Sequence, residues 1–202
     1  MPFATAPLEE ARENLRVIRQ TMERSTKYST LSGISGVLVG LAGIAGVVAT
    51  WVLGPGAAIY HHPLRLASIW IVTLFTAIGI DLICNKRRAA RVGKHIVSSL
   101  GAHIVLAALP AFFAAGILTY FFFQHHLLIY LWGVWMLCYG LAICAVGLFS
   151  VRPATYLGSA FVIAGAATLL MPAVPYHLIM MAVTFGGFHI LYGVLMARRH
   201  GW

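Results

Sequence analysis

Charged residues are scarce in this chain of 202 residues, at 9% of the composition, and acidic residues are scarcest of all. Soluble domains carry about a quarter charged residues. With 60% hydrophobic residues as well, the chain is predicted to be solvated by a lipid bilayer and not by water. All four glutamates precede the first apolar run, so Asp81 is the one acidic side chain in the rest of the sequence. A lone carboxylate among apolar segments requires an explanation.

Cysteine is also sparse, and its spacing excludes two common uses. Cys84, Cys138 and Cys144 form no CxxC pair and lie inside or at the ends of apolar segments, which argues against a disulfide framework or a zinc ribbon. They are interpreted as small buried apolar residues. The chain also contains no HExxH, GxSxG or P-loop motif, so hydrolase and NTPase chemistry have no support. The sequence leaves enzymatic activity open but favours its absence.

Long apolar runs are what the chain has in abundance. A membrane helix needs about 20 mainly apolar residues, and six segments reach that length. Strands of a membrane barrel would instead alternate apolar and polar residues. The sequence therefore predicts an all-α fold, with an amphipathic cytoplasmic segment over residues 1–29 and a bundle of six transmembrane helices over residues 30–202. The six spans are expected near Thr30–Leu53, Leu66–Cys84, Val97–Phe123, Leu127–Ser150, Ala154–Met171 and His177–Ala197.

Basic residues give the chain a net charge of +9 and are distributed unevenly. Of the 14 Lys and Arg residues, all but Arg65 fall in segments that six spans would place on one side of the membrane. Because Lys and Arg accumulate in cytoplasmic loops, both termini are predicted to be cytoplasmic. The basic residues form short clusters between apolar runs, so we expect the bilayer, and not a nucleic acid, as the partner.

Apolar residues recur every three or four positions from Pro7 to about Lys27, where Leu8, Leu15 and Met22 share one stripe with Ala11 and Ile18. This pattern predicts an amphipathic helix. Such a helix lies on the cytoplasmic leaflet or docks onto another membrane subunit or a second copy of the chain.

The segment Leu15–Val37, LRVIRQTMERSTKYSTLSGISGV, resembles the opening of a group of small bacterial inner-membrane proteins. In that group an IRxTMER leader runs directly into a Gly-rich first span. The resemblance implies a multi-pass protein of the bacterial inner membrane and carries no established activity.

Small residues line one face of the first span, at Gly33, Gly36, Gly40 and Gly43. Glycines at this spacing let another membrane helix approach closely. In the middle of the third span, Pro110 removes a backbone donor and is predicted to bend the helix.

The first and fourth spans resemble each other, as do the third and sixth, which suggests an inverted repeat of three spans plus three. However, His103 and His189, which the alignment pairs, are expected in the same leaflet, whereas an inverted repeat would place them at mirrored depths. The alignment pairs two sets of residues. In the first and fourth spans it pairs Leu31, Gly33, Gly40, Leu41, Ala42 and Ala45 with Leu131, Gly133, Gly140, Leu141, Ala142 and Ala145, and in the third and sixth spans it pairs Gly101–Ile104 with Gly187–Ile190.

Ionisable residues inside membrane spans are costly and mark functional candidates, here Asp81, His103 and His189. The simplest interpretation of Asp81 is an interfacial ion pair with Lys86–Arg88. The alternative is a proton or cation relay between Asp81 and a nearby histidine. The two histidines could also be axial ligands of a b-type haem, or could only hydrogen-bond across helices.

Histidines also gather in the loops of the opposite side. One imidazole from each of three loops would supply an open zinc or copper site. Amphipathic residues at the headgroup boundary are the competing interpretation. The five candidates are His61, His62, His125, His126 and His177.

Three functions follow from these features. The favoured one is an accessory or assembly subunit of a larger membrane complex, because intramembrane charge is sparse and the leader could dock. The second is a small proton- or cation-coupled transporter that uses Asp81 and the intramembrane histidines. The third is a redox protein that binds b-type haem or a metal.

Overall fold

The computed structural model describes residues 13–16, 33–91, 99–148, 152–171 and 174–200. Within these ranges every regular element is helical, and six helices are long and apolar enough to cross a membrane. The predicted all-α, six-span fold is therefore confirmed, and the chain is an integral membrane protein. The predicted leader helix lies outside the described residues apart from Glu13–Arg16, which are helical and joined by an ion pair of 3.7 Å.

Five spans are continuous α-helices and the sixth is composite. The sixth span, α6, contains an α-helix, a π-helical segment and a second α-helix. The bounds are α1 Gly33–Leu53, α2 Pro63–Arg91, α3 Ser99–Gln124, α4 Leu131–Leu148, α5 Arg152–Leu170, and for α6 Val174–Met181, Ala182–Phe188 and His189–His200. Short 3-10 helices, Gly56–His61 and Leu128–Tyr130, precede α2 and α4.

The second span is longer than predicted at both ends. It begins at Pro63, a residue that suits the first turn of a helix because that turn needs no N–H donor from it. It continues past Cys84 to Arg91, since the basic and alanine residues there are strong helix formers. The basic cluster is thus the last turns of α2 and not a loop.

The glycine face of α1 packs directly on the backbone of α6. A Cβ atom on Gly36 would lie 2.7 Å from the Cα of Gly193, and one on Gly40 would lie 2.6 Å from the carbonyl oxygen of Gly186. Real Cβ atoms do not approach so closely, so these positions require glycine. The first and last spans therefore form one tight pair.

The fourth and fifth spans form a second tight pair. A Cβ atom on Gly140 would lie 2.7 Å from the carbonyl oxygen of Gly158, and one on Gly165 would lie 2.7 Å from the amide nitrogen of Leu137. The glycines of α1 that suggested a repeat thus contact the sixth span, whereas Gly133 and Gly140 contact the fifth. These partners are not equivalent under a three-plus-three repeat, which stays a prediction.

An aromatic core joins the two pairs. The Trp70 ring of α2 lies 5.6 Å from that of Trp132 and 5.9 Å from that of Trp135, both on α4. Phe161 of α5 lies 5.0 Å from Phe185 of α6. The third span packs mainly on α4 and leaves most of its surface exposed, Pro110 included.

Candidate functional site in the basic half of the bundle

The two ends of the bundle differ in their charged and titratable residues. Because successive spans alternate in direction, Arg91 of α2, Arg152 of α5 and Arg198 of α6 lie at the same end, which we call the basic end. The opposite end, the histidine end, carries the loops with His61 and His125. Asp81 lies about 15 Å from Arg91 along α2, and His189 about 14 Å from Arg198 along α6, at ~1.5 Å per residue.

Asp81 has neutral partners. Ser35 of α1 donates a hydrogen bond of 2.5 Å from its Oγ to the Asp81 Oδ1, and the Asn85 side chain also hydrogen-bonds the carboxyl group. Asn85 follows Asp81 by one helical turn, so both side chains share a face of α2. The ion pair of Asp81 with Lys86–Arg88 stays a prediction. Asp81 itself remains exposed at the surface of the bundle.

His189 lies at the centre of the bundle, only 5% exposed. Its Nε2 is 2.6 Å from the hydroxyl oxygen of Tyr139 on α4, a hydrogen bond in which either group can donate, according to the tautomer. The His189 ring also packs against Phe161 at 5.3 Å between centroids. The Nδ1 atom is buried, and the backbone of Thr184 and Phe185, one turn earlier in α6, lies beside the ring.

Asp81 lies at about the same distance from the basic end as His189 does, at ~1.5 Å of rise per residue. Tyr192 follows His189 by three residues, which places both side chains on one face of α6. Polar side chains from α1, α2, α4 and α6 therefore converge at one level of the basic half.

Aromatic rings separate this polar group from the histidine end. Tyr139 contacts Phe161 at 4.8 Å and Phe185 at 5.1 Å, and Phe185 contacts Trp70 at 6.4 Å. The indole Nε1 of Trp70 is buried without a partner among the described residues. The polar group therefore ends at an apolar barrier near the middle of the membrane.

The surroundings of the two histidines do not fit a haem. The His189 Nε2 is held by Tyr139, and the ring lies parallel to that of Phe185, at 16° and 6.2 Å, where a macrocycle would need space. His103 is exposed on α3, whereas His189 is buried. Two surface grooves of about 440 and 540 Å³ are apolar, and neither His103 nor His189 lines them.

The histidines of the opposite end are dispersed. His177 is buried, with its Nε2 at 3.2 Å from the carbonyl oxygen of Met171. His125 packs on Phe121 at 4.3 Å between ring centroids, while His61, His62 and His126 are exposed. Within the described ranges no three His, Cys, Asp or Glu side chains lie close enough to hold a metal ion. The predicted zinc or copper site is therefore not assembled by these residues.

Tyr60 attaches the loop before α2 to the core at the histidine end. The Trp132 Nε1 donates a hydrogen bond of 2.8 Å to the hydroxyl oxygen of Tyr60. Burial raises the pKa of Tyr60 above its ordinary value of 10.0, against the opposing effect of that hydrogen bond. The phenol is consequently neutral at physiological pH and fixes the loop before α2 onto α4.

The sequence pointed to Asp81 and His189 but missed the side chains that surround them. Asn85 and Tyr192 could have been found from helical spacing, since each lies one turn from a candidate residue on the same face. Ser35 stands inside the glycine stripe and has no such signal. Tyr139 is one of many aromatic residues, and only the packing of α4 against α6 selects it.

No protein-family profile, no curated protein and no solved structure matches this chain. The functional argument therefore rests on the geometry of Asp81, Tyr139 and His189.

Proposed function

We propose that this protein is a small proton-coupled membrane transporter in which Asp81, Tyr139 and His189 relay a proton within the bilayer. We place it in the bacterial inner membrane with the basic end, and so both termini, on the cytoplasmic side. The observation that carries the proposal is the 2.6 Å contact between the Tyr139 hydroxyl and the His189 Nε2, at about the same level of the bundle as Asp81.

The chemistry of the three groups suits a relay. A phenol hydroxyl can give its proton to the imidazole Nε2 and take a replacement from the Asp81 side, so no net charge stays on the tyrosine. Imidazole exchanges protons near neutral pH more readily than any other side chain. In the relay a proton passes from the Asp81 side to the Tyr139 hydroxyl and from there to the His189 Nε2, which that hydroxyl contacts directly.

The aromatic barrier gives the relay one open side. Beyond His189, the rings of Phe161 and Phe185 pack against the imidazole on the way to the histidine end. A transporter must open and close each side in turn, and a barrier on one side of a charged site is expected of one such state. The π-helical segment Ala182–Phe188 precedes His189 directly, and π-helical turns often occur at functional sites.

Proton uptake into vesicles tests the proposal. The purified full chain is reconstituted into liposomes that contain a pH-sensitive dye, and uptake is driven by a potassium diffusion potential in sodium-free medium. The wild type is expected to acidify the lumen faster than empty liposomes. Asp81→Asn, Tyr139→Phe and His189→Gln are each expected to slow uptake at least about tenfold, a loss equivalent to ~1.4 kcal/mol in the limiting step.

Tyr156→Phe is the matched control, because Tyr156 is an exposed phenol on α5 and is 71% accessible. It should leave the uptake rate unchanged. Wild-type uptake equal to that of empty liposomes, or equal rates in Tyr139→Phe and wild type, would overturn the relay.

The exposure of α3 favours a second candidate, an accessory subunit of a membrane complex. This span packs mainly on α4, and Phe113 is 71% exposed on it. A partner helix could cover this face, and the predicted leader, residues 7–27, would add a second attachment on the cytoplasmic side or mediate self-association.

Site-specific photo-crosslinking in native membranes tests this candidate. A photoreactive residue at Phe113 should yield one defined crosslinked product if α3 faces a partner. The same residue at Ile163, which is 70% exposed on α5, serves as the control. Identical patterns from both positions would show that lipid, and not a specific subunit, surrounds α3.

A further inference from the structure

The oxygen atoms around Asp81 form a group that the proton relay does not need. The Ser35 hydroxyl lies 2.5 Å from the Asp81 Oδ1, although it leads neither to Tyr139 nor to His189. Asn85 adds an amide on the same face of α2. Carboxylate, hydroxyl and amide oxygens are the ligands that hard cations prefer.

The charge of the site limits which cation it can hold. Asp81 is the only acidic side chain after residue 23, and Ser35 and Asn85, which both hydrogen-bond its carboxyl group, are neutral. Calcium and magnesium sites normally use several carboxylates. One carboxylate with neutral oxygens instead balances a single positive charge, and Lys86 and Arg87, exposed further along α2, add repulsion against a divalent ion.

The close approach of α1 and α2 favours a small ion. Ser35 is 2% exposed and α1 is fixed by its glycine contacts to α6, so its hydroxyl cannot withdraw far from Asp81. An ion inserted between the two oxygens must separate them, and a smaller ion requires the smaller movement.

We infer that Asp81, Ser35 and Asn85 form a binding site for a small monovalent cation of the sodium class, which competes with the proton for the same carboxylate. The inference rests on the proposed function, since it names a second ion that binds the carboxylate used by the relay. In the absence of that ion the carboxylate is left to the proton.

Equilibrium binding of ²²Na⁺ to the purified full chain tests the site. Binding should be saturable, displaced more strongly by unlabelled Na⁺ than by K⁺, and weakened as the pH is lowered, because the proton occupies the same oxygen. Asp81→Asn should abolish it. Ser35→Ala and Asn85→Ala should each weaken it about threefold to tenfold, as expected for the loss of one neutral ligand.

Ser68→Ala is the control for the loss of a serine hydroxyl. Ser68 lies on α2, as Asp81 does, but its hydroxyl donates to the carbonyl oxygen of Arg65. The variant should bind ²²Na⁺ as the wild type does. The preference for Na⁺ over K⁺ is measured on the wild type and so does not depend on the folding of any variant.

The outcomes separate this inference from the proposed function. Absence of saturable ²²Na⁺ binding, binding that persists in Asp81→Asn, or equal displacement by K⁺ overturns the cation site. Sodium-free proton uptake would be unaffected by any of those results. Conversely, saturable binding without proton uptake supports the cation site and overturns the relay.

Discussion

The Trp132 indole shows how a single buried side chain can hold a loop on a membrane bundle. It is fully buried, it contacts the rings of Trp70 and Trp135, and its N–H group donates a hydrogen bond to the Tyr60 hydroxyl oxygen. An indole N–H buried in an apolar core is costly unless it has such an acceptor. The loop between α1 and α2 is thus held by a hydrogen bond as well as by packing.

A double-mutant cycle measures this contact. Trp132→Phe, Tyr60→Phe and the double variant are compared by denaturant unfolding in detergent micelles. Each single variant should be destabilised, and the double variant should lose less than the sum of both, with a coupling energy of about 1 kcal/mol. Strict additivity would show that the 2.8 Å contact contributes nothing beyond packing.

The residues at the candidate site differ in how far sequence reveals them. Asp81 is conspicuous because it is the only carboxylate in the apolar part of the chain, and His189 because imidazoles are rare within spans. The role of each depends on neighbours from other helices, Ser35 and Tyr139, which no periodicity within one span identifies.

At the scale of elements, glycine placement determines which helices pair. The α1 and α6 backbones meet along Gly36 and Gly193, and α4 meets α5 along Gly140 and Gly158. A methyl group added at Gly79 of α2 or Gly116 of α3 would have no atom of the described neighbours within 4 Å, so both lie on open surface. Glycines that look alike in the sequence therefore have opposite roles.

Alanine substitutions should separate these roles. Gly36→Ala forces a methyl group into the Gly193 backbone and should destabilise the bundle by about 1–3 kcal/mol, the usual cost of overpacking. Gly79→Ala and Gly116→Ala place the methyl group in open space and should be neutral or stabilising by up to about 1 kcal/mol. Unfolding midpoints in detergent provide the comparison. A Gly36→Ala variant as stable as Gly79→Ala would contradict the close packing.

Hydropathy is sufficient to predict all six spans but not their internal form. The π-helical segment of α6 has no signal in the sequence, because apolar residues on every side of a span hide any change in helical period. The extension of α2 to Arg91 is also hidden, because charged residues end the apolar run although Lys and Arg continue the helix well.

At the scale of the whole molecule, the two ends differ in their side chains, with arginines at one end and histidines at the other. Arg91, Arg152 and Arg198 mark one end, and His61, His62 and His125 the other. If the basic end is cytoplasmic, as Lys and Arg placement predicts, the proposed relay would open toward the cytoplasm. The orientation would therefore decide from which side a relayed proton enters.

Cysteine labelling establishes the orientation. The three native cysteines are replaced, and single cysteines are introduced as Arg91→Cys or His62→Cys, both at exposed positions. In sealed inside-out vesicles, a membrane-impermeant maleimide should label the Arg91→Cys protein directly and the His62→Cys protein only after permeabilisation. The reverse pattern would place the basic end outside.

The pairing of the first span with the last also determines the order in which the protein can be completed during synthesis. The glycine face of α1 enters the membrane first, but the backbone that covers it belongs to α6, which the ribosome makes last. Until then α1 has only α2 beside it and its glycine face has no covering backbone, while α4 and α5, consecutive in the chain, can join as soon as both are inserted. Asp81 is inserted together with its partners on α1 and α2, but before Tyr139 of α4 and His189 of α6 are made.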